Sequence, residues 1–157
     1  MKRDAKELEK RVTQFSEVSR CHGDKITHQR REIYRELAKT QEHPDAETIY
    51  RRVRKRIPSI SLDTVYRTLR LLEDEGLISR VGSISERTRF DANSDRHHHF
   101  VCTECGFIGD VYIEDWDNIR PPKGLTAMGK VNSVHVELRG LCKACQRKQH
   151  MPSRRGK

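Results

Sequence analysis

Four cysteines stand in two tight pairs, Cys102-Thr-Glu-Cys105 and Cys142-Lys-Ala-Cys145, with 36 residues between the pairs. Each CxxC knuckle can place two thiolates on one metal, and two knuckles complete the tetrahedral shell of a structural zinc site. Gly106, directly after the first pair, permits the backbone turn that such a knuckle needs. A closed four-thiolate shell leaves no open coordination position, so it holds structure rather than performing chemistry. A redox dithiol would need only one CxxC, and no thioredoxin-like pattern surrounds either pair. Cys21 is unpaired and reads as a small, partly buried side chain.

A second constellation precedes the first knuckle: His97-His98-His99-Phe100-Val101. If this run enters a strand, His97 and His99 face one side and His98 the other, so alternation selects the outer pair as co-ligands. Asp91, six residues before His97, could reach the same ion, and Asp110 lies beyond the knuckle on the next strand. His43 precedes Pro44 between two expected helices. Imidazoles with carboxylates suit Fe²⁺, Mn²⁺ or Zn²⁺ and differ chemically from the thiolate site.

These side chains need a scaffold, and the first half of the chain reads as helical. Helices are expected over residues 4–19 (Leu8, Val12, Phe15 inward), 28–39 after a Thr27 cap, 46–55 after an Asp45 cap, and 62–75 after Ser61. Gly76 closes the last of these. Strands follow at 77–81 and 87–91, flanking a turn at 82–85. Helix, short turn, helix, hairpin is the order of a winged helix-turn-helix, whose second helix of the pair enters the major groove of DNA. Arg51, Arg52, Arg54, Lys55 and Arg56 would contact phosphates, which position without specifying. Ser61 opens the reading helix, and Thr64, Tyr66 and Arg67 are aimed at base edges. Tyr66 also fits an apolar stripe with Leu62, Val65, Leu69 and Leu72, and periodicity leaves both readings open.

The totals agree with a nucleic-acid partner. The 157 residues are 35% charged with a formal net charge of +9, which favours polyanions over neutral partners. No apolar run approaches the ~18 residues of a membrane span. Residues Met1 to Glu7 lack the apolar core of a signal peptide, so a cytoplasmic location is expected, where cysteines serve metals more often than disulfides. The expected fold class is α+β: a winged-helix DNA-binding domain over 1–91, a small α/β metal-binding dimerisation domain over 92–150, and a disordered basic tail at 151–157.

Taken together, these residues resemble the ferric uptake regulator (Fur) family of bacterial metal-dependent repressors. The likeness runs over about residues 25–147. It is carried by Ile26 to Arg30, His43 to Tyr50, Ser61 to Arg67, Arg89-Phe-Asp91, His97 to His99 with Cys102 to Gly106, and Cys142 to Cys145. The resemblance implies a homodimer that binds an inverted-repeat operator in double-stranded DNA, with metal at the hinge between domains setting the DNA-binding geometry. Within the family the chain is most similar to the peroxide-responsive branch, whose regulatory ligands fall on His43, Asp91, His97, His99 and Asp110. Asp91 is the discriminating position, because iron-uptake members typically carry Glu there. The branch implies Fe²⁺ or Mn²⁺ in the regulatory site, with Fe²⁺ reacting with peroxide and a ligand histidine becoming oxidised.

Three departures from the family pattern stand out. His28 occupies the place of a usual Pro. Pro121-Pro122 should shorten the dimerisation-domain helix. The further metal site of some iron regulators is poorly supported, since His98 and Val134 replace its ligands and His135 is shifted by one. Haem-responsive relatives share a triple histidine but lack the knuckles. Outside the family, a metal-dependent hydrolase would use the His/Asp site to activate water, but it lacks a spare general base and leaves the basic half without a role. A zinc-ribbon scaffold explains only the cysteines. The chain is therefore read as a regulator and not an enzyme, with a metal-uptake regulator that does not sense peroxide as the alternative.

Overall fold

The computed structural model describes residues 4–23, 25–82, 87–120, 122, 124–125, 128–131 and 134–150. The expected tail at 151–157 and most of the turn at 82–85 lie outside the described residues.

Helix α1 spans Ala5–Cys21, two residues beyond the expected end, because His22 still donates its N–H to Val18 O. Gly23, at φ +75°, then turns the chain away. Helices α2 (His28–Ala38), α3 (Ala46–Arg54) and α4 (Leu62–Asp74) begin at side-chain caps: Thr27 accepts from Arg30 N–H, Asp45 from Thr48 N–H and Ser61 from Thr64 N–H. Each such cap satisfies a backbone donor that the helix itself cannot, at about 1 kcal/mol. Ile33, Leu37, Ile49, Val53, Val65, Leu69 and Leu72 interlock as the buried core, each removing apolar area worth ~1.5–3 kcal/mol. Phe15 of α1 joins them, stacked on Tyr34 with ring centroids 4.8 Å apart.

Tyr66 is not part of that core. It is 51% exposed on the open side of α4, while Thr68 is buried among the helices. The side chain therefore stands with Asp63, Arg67 and Arg70 on the face turned to solvent.

Strands β1 (Ser79–Val81) and β2 (Arg89–Asp91) pair antiparallel, Ser79 opposite Asp91. The hairpin is shorter than expected because Leu77 is used to stop α4. Its N–H reaches Leu72 O while Gly76, at φ +70°, donates to Glu73 O, the paired bonds of a Schellman stop. The far edge of β2 binds the segment before α3, through Phe90 N–H to Pro44 O at 3.1 Å and a bridge between Asp45 and Arg89. Three packed helices followed by this hairpin make a winged helix-turn-helix.

The second compact unit holds β3 (His98–Cys102), β4 (Ile108–Val111), α5 (Glu114–Asp117), β5 (Glu137–Gly140) and α6 (Lys143–His150). Sheet order is β4-β3-β5, with β4 antiparallel and β5 parallel to β3. The helix ahead of Pro121-Pro122 is a single turn. The units divide after Asp95. Residues 92–95 stay with the first unit because Ala92 is buried there and Arg11 of α1 grips the segment. No described helix is long and apolar enough to cross a membrane.

Candidate metal centres and nucleic-acid face

Cys102 closes β3, and the turn that follows brings Cys105 back beside it. Gly106, at φ +68°, donates to Cys102 O, and Cys102 N–H donates to Phe107 O at 2.8 Å. Thr103 N–H bonds Gly140 O, which ties this knuckle to the end of β5. Cys142 lies two residues past the end of β5, and Cys145 lies in the first turn of α6. All four sulfurs fall within 4.8 Å of one another, and Cys105 and Cys142 are 3.7 Å apart. Four Zn–S bonds of ~2.3 Å in a tetrahedron set the sulfurs about 3.8 Å apart, so the cluster fits zinc.

The thiols are polarised against one another. Cys102 is lowered to about 6, first by the Cys105 N–H and then by the Cys142 N–H. Cys142 is also lowered, chiefly by the Cys145 N–H. Cys145 is pushed up to about 12 by the neighbouring sulfurs of Cys105 and Cys142. Cys105 is raised, since Cys102 and burial outweigh the Phe107 N–H that pulls it down. Four thiolates this close repel one another, and the cluster keeps protons until a cation replaces them.

The imidazoles and carboxylates form one group in each unit. In the first unit His43 Nε2 lies 3.8 Å from Asp91 Oδ1, and both residues are buried. His43 has φ +49°, a left-handed conformation that costs a non-glycine residue about 1–2 kcal/mol. Arg89 helps to hold it there, donating from Nε to His43 O at 2.5 Å and from Nη2 to Glu42 O. In the second unit His97 immediately precedes β3 instead of opening it, yet its Nε2 stands 3.0 Å from that of His99. Asp110 faces His99 in the β3–β4 register, with Oδ1 4.0 Å from His99 Nε2.

Ligands on ~2.1 Å bonds at right angles sit about 3.0 Å apart, so the His97–His99 spacing suits two neighbouring positions on one ion. His98 is turned to the other side of β3. There Val136 N–H donates to its Nδ1 and its ring meets that of Trp116 at 5.5 Å. Sequence reasoning missed two neighbours: Arg89, which shapes His43, and Tyr112, whose ring lies 5.8 Å from that of His97. Neither pairing leaves a local spacing signal.

On the helical unit, Arg51, Arg54 and Lys55 are exposed along the end of α3. Arg54 lies over the Tyr50 ring and donates to its hydroxyl at 2.9 Å. Arg52 is paired with Glu42 at 2.7 Å, and Arg56 is committed to Glu32 and Glu36. Ser61 spends its hydroxyl on capping α4 and on the Thr64 hydroxyl, 2.8 Å away. Arg67 is 80% exposed, and its ion pair to Asp63, at 3.3 Å, is weak at such exposure.

Comparison with known proteins agrees with this arrangement. The sequence pattern of the Ferric uptake regulator family matches residues 22–139. The peroxide-responsive repressor PerR of Staphylococcus aureus is 32% identical over 142 residues, covering 90% of this chain and 93% of its own. Among solved structures, PerR from Streptococcus pyogenes, described as a basis for peroxide sensing and gene regulation, superposes with a TM-score of 0.51 at 32% identity. That match covers 86% of this chain and 92% of the other. The Helicobacter pylori ferric uptake regulator Fur shares the fold, with a TM-score of 0.70 at 24% identity over 93% of this chain and 97% of its own. The chain belongs to the ferric uptake regulator family.

Proposed function

We propose that this protein is a metal-dependent transcriptional repressor that senses peroxide and works as a cytoplasmic homodimer on an inverted-repeat operator in double-stranded DNA. The observation that carries the reading is the donor set: His43 beside Asp91 in the first unit, and His97, His99 and Asp110 in the second. An ion bound by all five would join the units in one relative orientation. To turn a binding equilibrium from mostly off to mostly on, metal must favour the DNA-competent arrangement by about 5.5 kcal/mol. Loss of one ligand removes much of that bias.

Fe²⁺ in this site supplies one-electron reduction of hydrogen peroxide, whereas Mn²⁺ does not readily undergo that reaction. His43, Asp91, His97, His99 and Asp110 would hold the ion, and His43 and His97 would be the side chains that take up oxygen when peroxide reacts there. Asp91, with its shorter reach than Glu, is the choice typical of the peroxide-responsive branch. Zinc at Cys102, Cys105, Cys142 and Cys145 holds the second unit together and supports the dimer. In DNA binding, Arg51, Arg52, Arg54 and Lys55 supply phosphate contacts, Ser61 sets the start of α4, and Thr64, Tyr66 and Arg67 read bases. The exposure of Tyr66 and Arg67 supports that role. Family membership favours a regulator over a metal-dependent hydrolase.

The test is DNA binding by the purified chain with and without Mn²⁺. Tight binding to an inverted repeat only when Mn²⁺ is present supports the reading. Equal binding with and without metal contradicts it.

A further inference from the structure

Arg11 is a charged residue buried to 4% exposure on the inner face of α1, ahead of the stretch matched by the family pattern. Arginine is rarely buried unless its donors are matched, and here they are directed at one segment. Nε donates to Glu7 Oε1 at 2.7 Å within the helix. Nη1 donates to Ala92 O at 2.7 Å, and Nη2 to Asn93 Oδ1 at 2.8 Å and Asp95 Oδ2 at 3.1 Å. Three of the four acceptors therefore lie in the four residues that follow Asp91.

That segment turns on Asp91 itself. Asn93 N–H donates to Asp91 Oδ1 at 2.9 Å, and Asp95 N–H donates to Asn93 Oδ1 at 3.3 Å, the oxygen that Arg11 also holds. A continuous chain of hydrogen bonds thus runs from the Arg11 guanidinium through Asn93 to the Asp91 carboxylate. Fastening α1 to the fold does not require it. Phe15 already stacks on Tyr34, Leu8 and Val12 pack on the core, and Ser19 Oγ bonds Glu75 Oε2 at 2.9 Å. What Arg11 adds is direction: it fixes which way the turn leaves β2, and with it the orientation of the Asp91 oxygens.

We propose that Arg11 is a positioning residue of the regulatory metal site, holding the Ala92–Asp95 turn so that Asp91 is presented to metal in its ligating orientation. The proposal rests on the reading of Asp91 as a ligand. Preorganisation of this kind raises affinity because the ligand does not have to be ordered when the ion arrives. Lysine carries the charge but has one nitrogen, and cannot hold Ala92 O and Asn93 Oδ1 in the same fork.

The experiment titrates Mn²⁺ into the full-length, zinc-loaded chain, following free Mn²⁺ by electron paramagnetic resonance. Arg11→Met, Arg11→Lys, Asn93→Ala, the Arg11→Met/Asn93→Ala pair and Asp91→Ala are compared with the parent chain. Arg11→Met and Asn93→Ala should each weaken Mn²⁺ binding by roughly 10–100-fold, as loss of an outer partner does. The double variant should be no weaker than the worse single one, zinc content should be unchanged, and Arg11→Lys should fall between. A residue that only stabilises the fold would alter melting temperature without this shared, non-additive loss. Parent-like Mn²⁺ affinity in Arg11→Met and Asn93→Ala, with loss in Asp91→Ala, overturns the proposal and leaves the metal reading standing. Parent-like affinity in Asp91→Ala overturns both. Should Arg11→Met fail to fold, Asn93→Ala decides alone, and unchanged affinity there overturns the proposal.

Discussion

His43 and Asp91, one at the entry to α3 and the other at the end of β2, stand with Nε2 and Oδ1 3.8 Å apart. The backbone bond from Phe90 N–H to Pro44 O and the grip of Arg89 on His43 O hold the two strands of chain in that register. If both are ligands to one ion, Asp91→Ala should lower Mn²⁺ affinity by more than the ~10–100-fold of an outer-shell loss. Zinc content should stay at one per chain. Equilibrium dialysis with metal analysis measures both quantities together.

Zinc binding should weaken on acidification. Cys145, pushed up to about 12, keeps its proton at neutral pH unless metal displaces it, while Cys102, lowered to about 6, is already largely thiolate. As pH falls through about 6, Cys102 too takes up a proton, which adds a competitor to the metal in the cluster. Zinc loading at neutral pH should release protons, and zinc loss should steepen as pH drops through 6. Cys102→Ser should lose zinc and shift the dimer toward monomer in sedimentation velocity. A zinc-free, dimeric Cys102→Ser chain would count against a structural role.

Arg67 and Arg54 should differ in kind. Arg67→Ala removes a base-reading candidate, relaxing preference at one operator position by about 1–3 kcal/mol. Arg54→Ala should weaken all sequences alike and reduce the salt slope by about 1, since a phosphate contact carries no sequence information. Arg52 is a poorer choice for that test because it is paired with Glu42. Binding isotherms on matched and scrambled operators at several salt concentrations separate the two.

Asp45 links helix capping to the site. It caps α3 through Thr48 N–H, pairs with Arg87 and bridges to Arg89, and so helps to fix the neighbouring His43. Burial pushes its carboxyl up, but Thr48 and Arg87 outweigh it and hold the group below its ordinary 3.8. A lowered carboxylate stabilises the fold above its unfolded value, and that contribution disappears as pH falls through the lowered one. Asp45→Ala should therefore cost about 0.5–2 kcal/mol near neutrality and progressively less below about pH 4, whereas Asp45→Asn should retain most of the cap. Urea unfolding at pH 7 and pH 3 measures the difference.

Local signals made much of this legible. The CxxC spacing announced the thiolate cluster because a knuckle is built from adjacent residues. Thr27, Asp45 and Ser61 announced helix starts because a cap and its N–H partner are three residues apart. Tyr66 could not be placed, since a 3.6-residue period puts it at the edge of the apolar stripe and only packing decides the side. The hairpin is shorter than its sequence suggests because Leu77 fits a strand as well as it fits the stop of α4. Arg11 and Arg89 were out of reach of any pattern, because their partners lie 81–84 and 46–47 positions away. Only the folded chain brings them together.

Peroxide treatment of the Fe²⁺- and Mn²⁺-loaded protein on operator DNA, with mass spectrometry of the recovered chain, tests the sensing role most directly. The Fe²⁺ form should leave DNA after equimolar peroxide and gain one oxygen on His43 or His97. The Mn²⁺ form should stay bound, and Asp91→Glu should blunt the Fe²⁺ response while keeping metal-dependent binding. Fe²⁺ and Mn²⁺ forms that resist peroxide equally, with both histidines unmodified, would contradict peroxide sensing and leave a metal-uptake regulator as the better account.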